Sequence, residues 1–130
     1  MPEVGPVHHV AVKTKRVETL TSFYRDVLGL AETTRHEDER GLRSVWLDAR
    51  GTTLMIERSD TDGSRPDFPA DPPGLHLLAF QIPADAHDAW RDHLAAHEVA
   101  VVHTSPFTLY VTDPDGNRIG LSSHPEPRQP

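Results

Sequence analysis

The chain has 130 residues, 36% of them hydrophobic and none of them cysteine, and 20 Asp and Glu outnumber 13 Lys and Arg for a formal charge of −7. That length holds one compact domain, with one core or two small cores side by side, and excludes a string of domains. Scattered basic residues under net negative charge argue against a nucleic-acid partner, and the lack of cysteine excludes disulfides, thiolate nucleophiles and Cys-zinc sites.

The opening "PEVGPVHHV" has neither a basic start nor an apolar run, and no segment approaches membrane-spanning length, so a soluble, cytoplasmic protein is expected. "VHHVAV", Val7 to Val12, reads as a short β-branched strand bounded by Pro6 and "KTKR". Val17, Leu20, Phe23, Tyr24, Val27 and Leu28 then recur at helical spacing, and Gly29 with Leu30 supplies a glycine just past the helix end and its hydrophobic partner. Three strands follow: Ala31 to Arg35, "LRSVWLDA" and "TTLMIER". They are separated by "HEDERG" and by Arg50-Gly51, which looks like a hairpin turn.

Residues 59 to 73 carry no periodic apolar pattern and are rich in Pro, Asp and Gly, which predicts a long connection. "LHLLAFQI" is the next strand, and Asp85 is a plausible N-cap for a helix with Ala86, Ala89, Trp90 and Leu94 on its apolar stripe. "VAVVH", "FTLYVT" and "NRIGLSS" predict three more strands, and the tail "HPEPRQP" is expected to fray. In "DPDGNRIGL", Pro114 and Gly116 are turn chemistry, and Gly120 then falls inside a strand that a glycine weakens.

The order βαβββ therefore occurs twice. His9 and His76 are 67 apart, Tyr24 and Trp90 66 apart, Gly51 and Gly116 65 apart, the drifting offset of a duplicated module with short insertions and deletions. Counting by offset sets Tyr110 against Val45 and Gly120 against Met55.

"HHVAV", "FYRDVLGL" and "DPDGNRIGL", in that order, resemble the vicinal oxygen chelate superfamily, which includes glyoxalase I, extradiol dioxygenases and the fosfomycin- and bleomycin-resistance proteins. The resemblance runs from His9 to Leu121. It implies one α+β domain in which module one (residues 5–58), the linker (59–73) and module two (74–123) form an open barrel-like cup with helices outside, followed by a flexible tail (124–130). It also implies a homodimer, which the apolar edges of a shallow cup support. This chain departs from the family at the helix start, where Arg16 replaces a frequent Asp and Thr14 is the better cap.

The resemblance implies a divalent metal (Fe, Mn, Ni or Zn) held by residues of the first and last strand of each module. His9 and His76 match the first-strand positions, but the last-strand positions fall on Met55 and Gly120. Neither supplies the carboxylate that such an ion prefers. Glu57, two residues beyond Met55 on the same strand face, is the candidate substitute and would complete a two-His, one-carboxylate set. Arg43, Trp46, Met55, His103, Tyr110 and Gly120 are candidate substrate contacts, because a small-molecule pocket needs aromatic walls and a few polar anchors. His8 is expected to point away from His9, and His93 with His97 forms a helix-face pair without a third ligand.

No phosphate loop, nucleophile elbow or covalent nucleophile is present. Three functions compete. One is a metal-dependent lyase, isomerase or dioxygenase; glyoxalase I itself is disfavoured, because its carboxylates are absent. The second is a metal-free protein that sequesters a drug or toxin, for which the acidic net charge suggests a cationic ligand. The third is an assembly module whose pocket holds no small ligand.

Overall fold

The structure, a computed structural model, describes residues 1–68 and 70–130. It divides into two compact units, Met1–Gly63 and Ser64–Pro130. Each contains one open, mixed four-stranded sheet and one short helical segment, an α+β arrangement built twice.

In the first unit, β1 (His9–Thr14) leads into α1 (Val17–Ser22), which widens into a π-helical turn over Phe23–Val27 before β2 (Ala31–Asp38), β3 (Gly41–Asp48) and β4 (Thr53–Arg58). The sheet order is β1-β4-β3-β2, with β1 parallel to β4 and the other pairs antiparallel. The helical stripe read from the sequence is the buried one: Val17, Leu20, Phe23, Tyr24 and Val27 join Val45, Leu47, Leu54 and Ile56 in the core. Fully burying a side chain such as Leu20 contributes roughly 2 kcal/mol. Helix termination follows the sequence as well. Gly29 sits at φ +78°, and the Leu30 N–H donates to the Tyr24 carbonyl at 3.0 Å, closing the last turn. Thr14 marks the helix entry by accepting the Arg16 N–H at 2.9 Å. Arg50 and Gly51 both take positive φ, with the Ala49 N–H on the Thr52 carbonyl at 2.8 Å, which is the predicted hairpin turn between β3 and β4.

The second unit repeats the plan with β5 (Leu78–Gln81), a 3₁₀ turn (Ala84–Ala86), α2 (His87–Ala96), β6 (His103–Thr104), β7 (Thr108–Thr112) and β8 (Arg118–Ser122), in the order β5-β8-β7-β6. Leu94, Leu109, Val111, Ile119 and Leu121 are essentially fully buried. The turn before β8 is pinned by Asp113, whose carboxylate accepts the N–H groups of Asp115 and Asn117 at 2.9 Å each and the Asn117 side-chain amide at 2.8 Å.

Three expectations change. Asp85 lies in the 3₁₀ turn, and the residue before α2 is Ala86, with no side-chain cap. β6 is only two residues long, because Val99 turns back to donate to the Leu94 carbonyl at the helix end. β2 runs to Asp38, past the predicted Arg35. In the tail, the N–H groups of Arg128 and Gln129 donate to the carbonyls of Pro106 and Ala84, at 2.8 Å each.

Candidate functional site

Each sheet has one face turned to its core and one turned away from it, and the candidate residues divide between these faces by strand parity. In the first unit Met55 pairs with Ala11 on one side and Trp46 on the other, and Trp46 pairs with Thr34, so Ala11, Met55, Trp46 and Thr34 form one row across the sheet. His9 and Thr53 lie two residues up the strands from this row, Lys13 and Glu57 two residues down. The ring of Trp46 lies 4.9 Å from that of His36, which meets Ser44 Oγ at 3.0 Å through Nδ1. Arg43 is exposed and lies at a register irregularity of β3, between the Ser44–His36 and Leu42–Glu37 pairs.

The second unit has the matching row. His103 pairs with Tyr110, Tyr110 with Gly120, and Gly120 with Ala79. Tyr110 is thus the counterpart of Trp46, one position away from the assignment to Val45 that offset counting gives. His103 and Tyr110 lie with ring centroids 5.2 Å apart. Phe68 covers both, stacked on His103 at 5.5 Å and tilted on Tyr110 at 6.1 Å. Gly120 is not an open gap. A Cβ there would meet Thr108 Cγ2 at 3.2 Å, with Ala79 Cβ and Leu77 Cδ1 at 3.6 Å each. The glycine lets three neighbouring side chains close over the strand.

The same register separates the two histidines in kind. His9 stands two residues before Ala11, which faces Met55; two residues before Ala79, which faces Gly120, stands Leu77. Leu77 is therefore the counterpart of His9. His76 falls one residue out of phase, exposed, with its Nδ1 3.5 Å from Nη1 of Arg118. His9 is exposed too, and its Nδ1 meets Nδ1 of His8 at 2.9 Å, so the two rings touch instead of pointing apart.

A divalent ion is poorly served by these donors. In the first unit Met55 offers a thioether, and Glu57 lies four residues along β4 from the row of His9, about 13 Å at strand rise. Glu57 instead forms an ion pair with Lys13 at 3.5 Å. In the second unit a Cβ at Gly120 would meet three methyl groups, and the guanidinium of Arg118 lies beside His76. Among the described residues no group of three or more His, Asp or Glu gathers closely enough to hold a metal ion.

Sequence reading missed Arg118, Phe68 and Leu77. Arg118 was legible in principle, since it lies two residues before Gly120 and so shares its strand face. Phe68 carries no such signal, because it lies in the aperiodic connection.

Most of the chain also matches known proteins. A crystal structure of a glyoxalase/dioxygenase from Nostoc punctiforme superposes with a TM-score of 0.76 at 22% identity, over 93% of this chain and 92% of the other. A lactoylglutathione lyase from Agrobacterium tumefaciens gives 0.64 at 22% identity, over 93% and 95%. A mutant of the fosfomycin resistance protein FosX from Listeria monocytogenes, in complex with Mn(II) and a dihydroxypropylphosphonic acid, gives 0.76 at 17% identity, over 93% and 94%. At these identities the likeness is one of fold. Residues 7–121 match the model of one sequence family, and with the repeated βαβββ plan this places the chain in the Glyoxalase/Bleomycin resistance protein/Dioxygenase superfamily.

Proposed function

We propose that this protein binds a small organic molecule against the aromatic face of its second sheet and does so without a resident divalent metal. The observation that carries the reading is the environment of Gly120. Where the resemblance implies a metal-binding carboxylate, Thr108, Ala79 and Leu77 close around a bare backbone. An ion there would lose its water and gain no charged oxygen in exchange, which is strongly unfavourable. The rings of His103 and Tyr110 supply the aromatic wall that a small-molecule pocket needs. The metal-dependent lyase, isomerase or dioxygenase reading would require His9 and His76 to act together, and the ladder register gives them different positions in their modules.

The homodimer belongs to the same proposal. β2 is the edge strand of the first sheet and is exposed at every position but His36, so a second copy is a suitable cover for it. Sedimentation equilibrium checks this point.

The deciding experiment is elemental mass spectrometry on untagged protein, incubated in turn with Fe(II), Mn(II), Ni(II) and Zn(II) and then desalted. Retention far below one equivalent of every ion is expected. About one equivalent of any of them, lost in His9→Ala, would overturn the metal-free reading and restore the metal-dependent one.

A further inference from the structure

Arg118 enters β8 as a buried cation, only 8% exposed. Its Nη2 donates to the carbonyl of Ala70, its Nη1 lies 3.5 Å from His76 Nδ1, and its Nε is buried with no hydrogen-bond partner among the described residues. No Asp or Glu among the described residues forms an ion pair with it. A guanidinium held this way has lost its water without gaining a counter-charge.

What covers it is the connecting segment. The Phe68 ring centroid lies 5.4 Å from Arg118 Cζ, and the same ring rests on His103 and Tyr110. Among the described residues, the segment's backbone bonds within this unit include Arg65 N–H to the Asp115 carbonyl at 3.4 Å and Ala70 N–H to the Asp67 carbonyl at 2.9 Å. Phe68 therefore occupies a position defined by a cation on one side and two rings on the other.

We propose that Arg118 anchors an oxyanion, a carboxylate or a phosphonate-type group, carried on a flat apolar body that takes the place of Phe68 against His103 and Tyr110. The proposal rests on the small-molecule reading above and fixes the charge class of the ligand: anionic, against the cationic ligand that the acidic net charge suggests. Planar, multiply donating guanidinium is the side chain best matched to such oxyanions.

The test is calorimetric titration of the whole chain with benzoate, phenylphosphonate, benzamide and benzylamine. Both anions are expected to bind more tightly than neutral benzamide or cationic benzylamine, and the stronger of the two identifies the oxyanion. Phe68→Ala removes the internal occupant and is expected to raise anion affinity about tenfold, as the competent state becomes populated. Arg118→Gln is expected to erase the difference between benzoate and benzamide. If that variant fails to fold by circular dichroism, the benzoate–benzamide comparison in the unaltered protein and the Phe68→Ala gain decide. Equal binding of benzoate and benzamide, no gain in Phe68→Ala, or no binding of either anion at millimolar concentration overturns the proposal. Binding of benzamide or benzylamine without anion preference removes only the charge class and leaves the metal-free reading intact, whereas retained metal removes that reading itself.

Discussion

Nη1 of Arg118 stands 3.5 Å from Nδ1 of His76. One of the two histidines that the resemblance assigns to a metal thus has a fixed positive charge as its neighbour. A divalent ion on that imidazole would be repelled by an energy on the order of several kcal/mol, even at the effective dielectric of a protein surface. His76→Ala is therefore expected to leave Zn(II) and Mn(II) affinity unchanged in competition with a chromogenic chelator. A tenfold or greater loss of affinity in that variant would make His76 a ligand after all.

Gly120 is held by close approach. Gly120→Ala is expected to destabilise the protein by about 1 kcal/mol, because the new Cβ would sit 3.2 Å from Thr108 Cγ2. Thr108→Ser removes that methyl group while keeping the hydroxyl, which donates to Ser122 Oγ at 2.8 Å. The double variant should recover the loss, and a urea double-mutant cycle with zero coupling would refute the crowding account.

Trp46 carries a buried Nε1 without a partner among the described residues. An unpaired buried donor costs about 1–3 kcal/mol, which offsets the area lost on exchange for the smaller ring. Trp46→Phe is expected to lie within about 1 kcal/mol of the parent in chemical denaturation. A cost above about 3 kcal/mol would point to packing as the stronger term.

Gly29 adopts φ +78° with open space around it, so a substitution there tests backbone conformation alone. Gly29→Ala should cost about 1 kcal/mol of thermal stability, and Gly29→Asn less, since Asn tolerates the left-handed region. A neutral Gly29→Ala would mean that the helix end relaxes to another cap.

His87 is 1% exposed, with Nε2 on Ser123 Oγ at 2.9 Å and Nδ1 without a hydrogen-bond partner among the described residues. Burial, helped by Arg128 and Arg91, holds its pKa below the ordinary 6.5. The unfolded chain therefore binds this proton more readily than the folded one, and stability falls as pH drops below 6.5 toward the folded value. The urea midpoint should decline on acidification from about pH 7 to about pH 5, and His87→Leu should flatten that decline. An equally steep decline in His87→Leu would assign it to other groups.

Much of this protein could be read from its residues because local physics enforces it. The apolar spacing from Val17 to Val27, the glycine past the helix end, the Arg50-Gly51 hairpin and the turn at Asp113 to Gly116 all act within a few residues. The doubled order of elements and the family followed from them. β6 was misread because the end of the preceding helix competes for its backbone: Val99 is drawn to the Leu94 carbonyl instead of a strand partner.

The sequence by itself determined the modules, their order and the loss of carboxylates at Met55 and Gly120. Only the tertiary structure decided which residues share a face. Side chains alternate along a strand with a period of two, so a register error of one residue moves a side chain to the other face, and counting offsets between drifting repeats cannot resolve one residue. That single residue separates His76 from Leu77 and Val45 from Trp46. It makes Leu77, not His76, the counterpart of His9 in the second module, and within that module it places Arg118, Phe68, His103 and Tyr110 together.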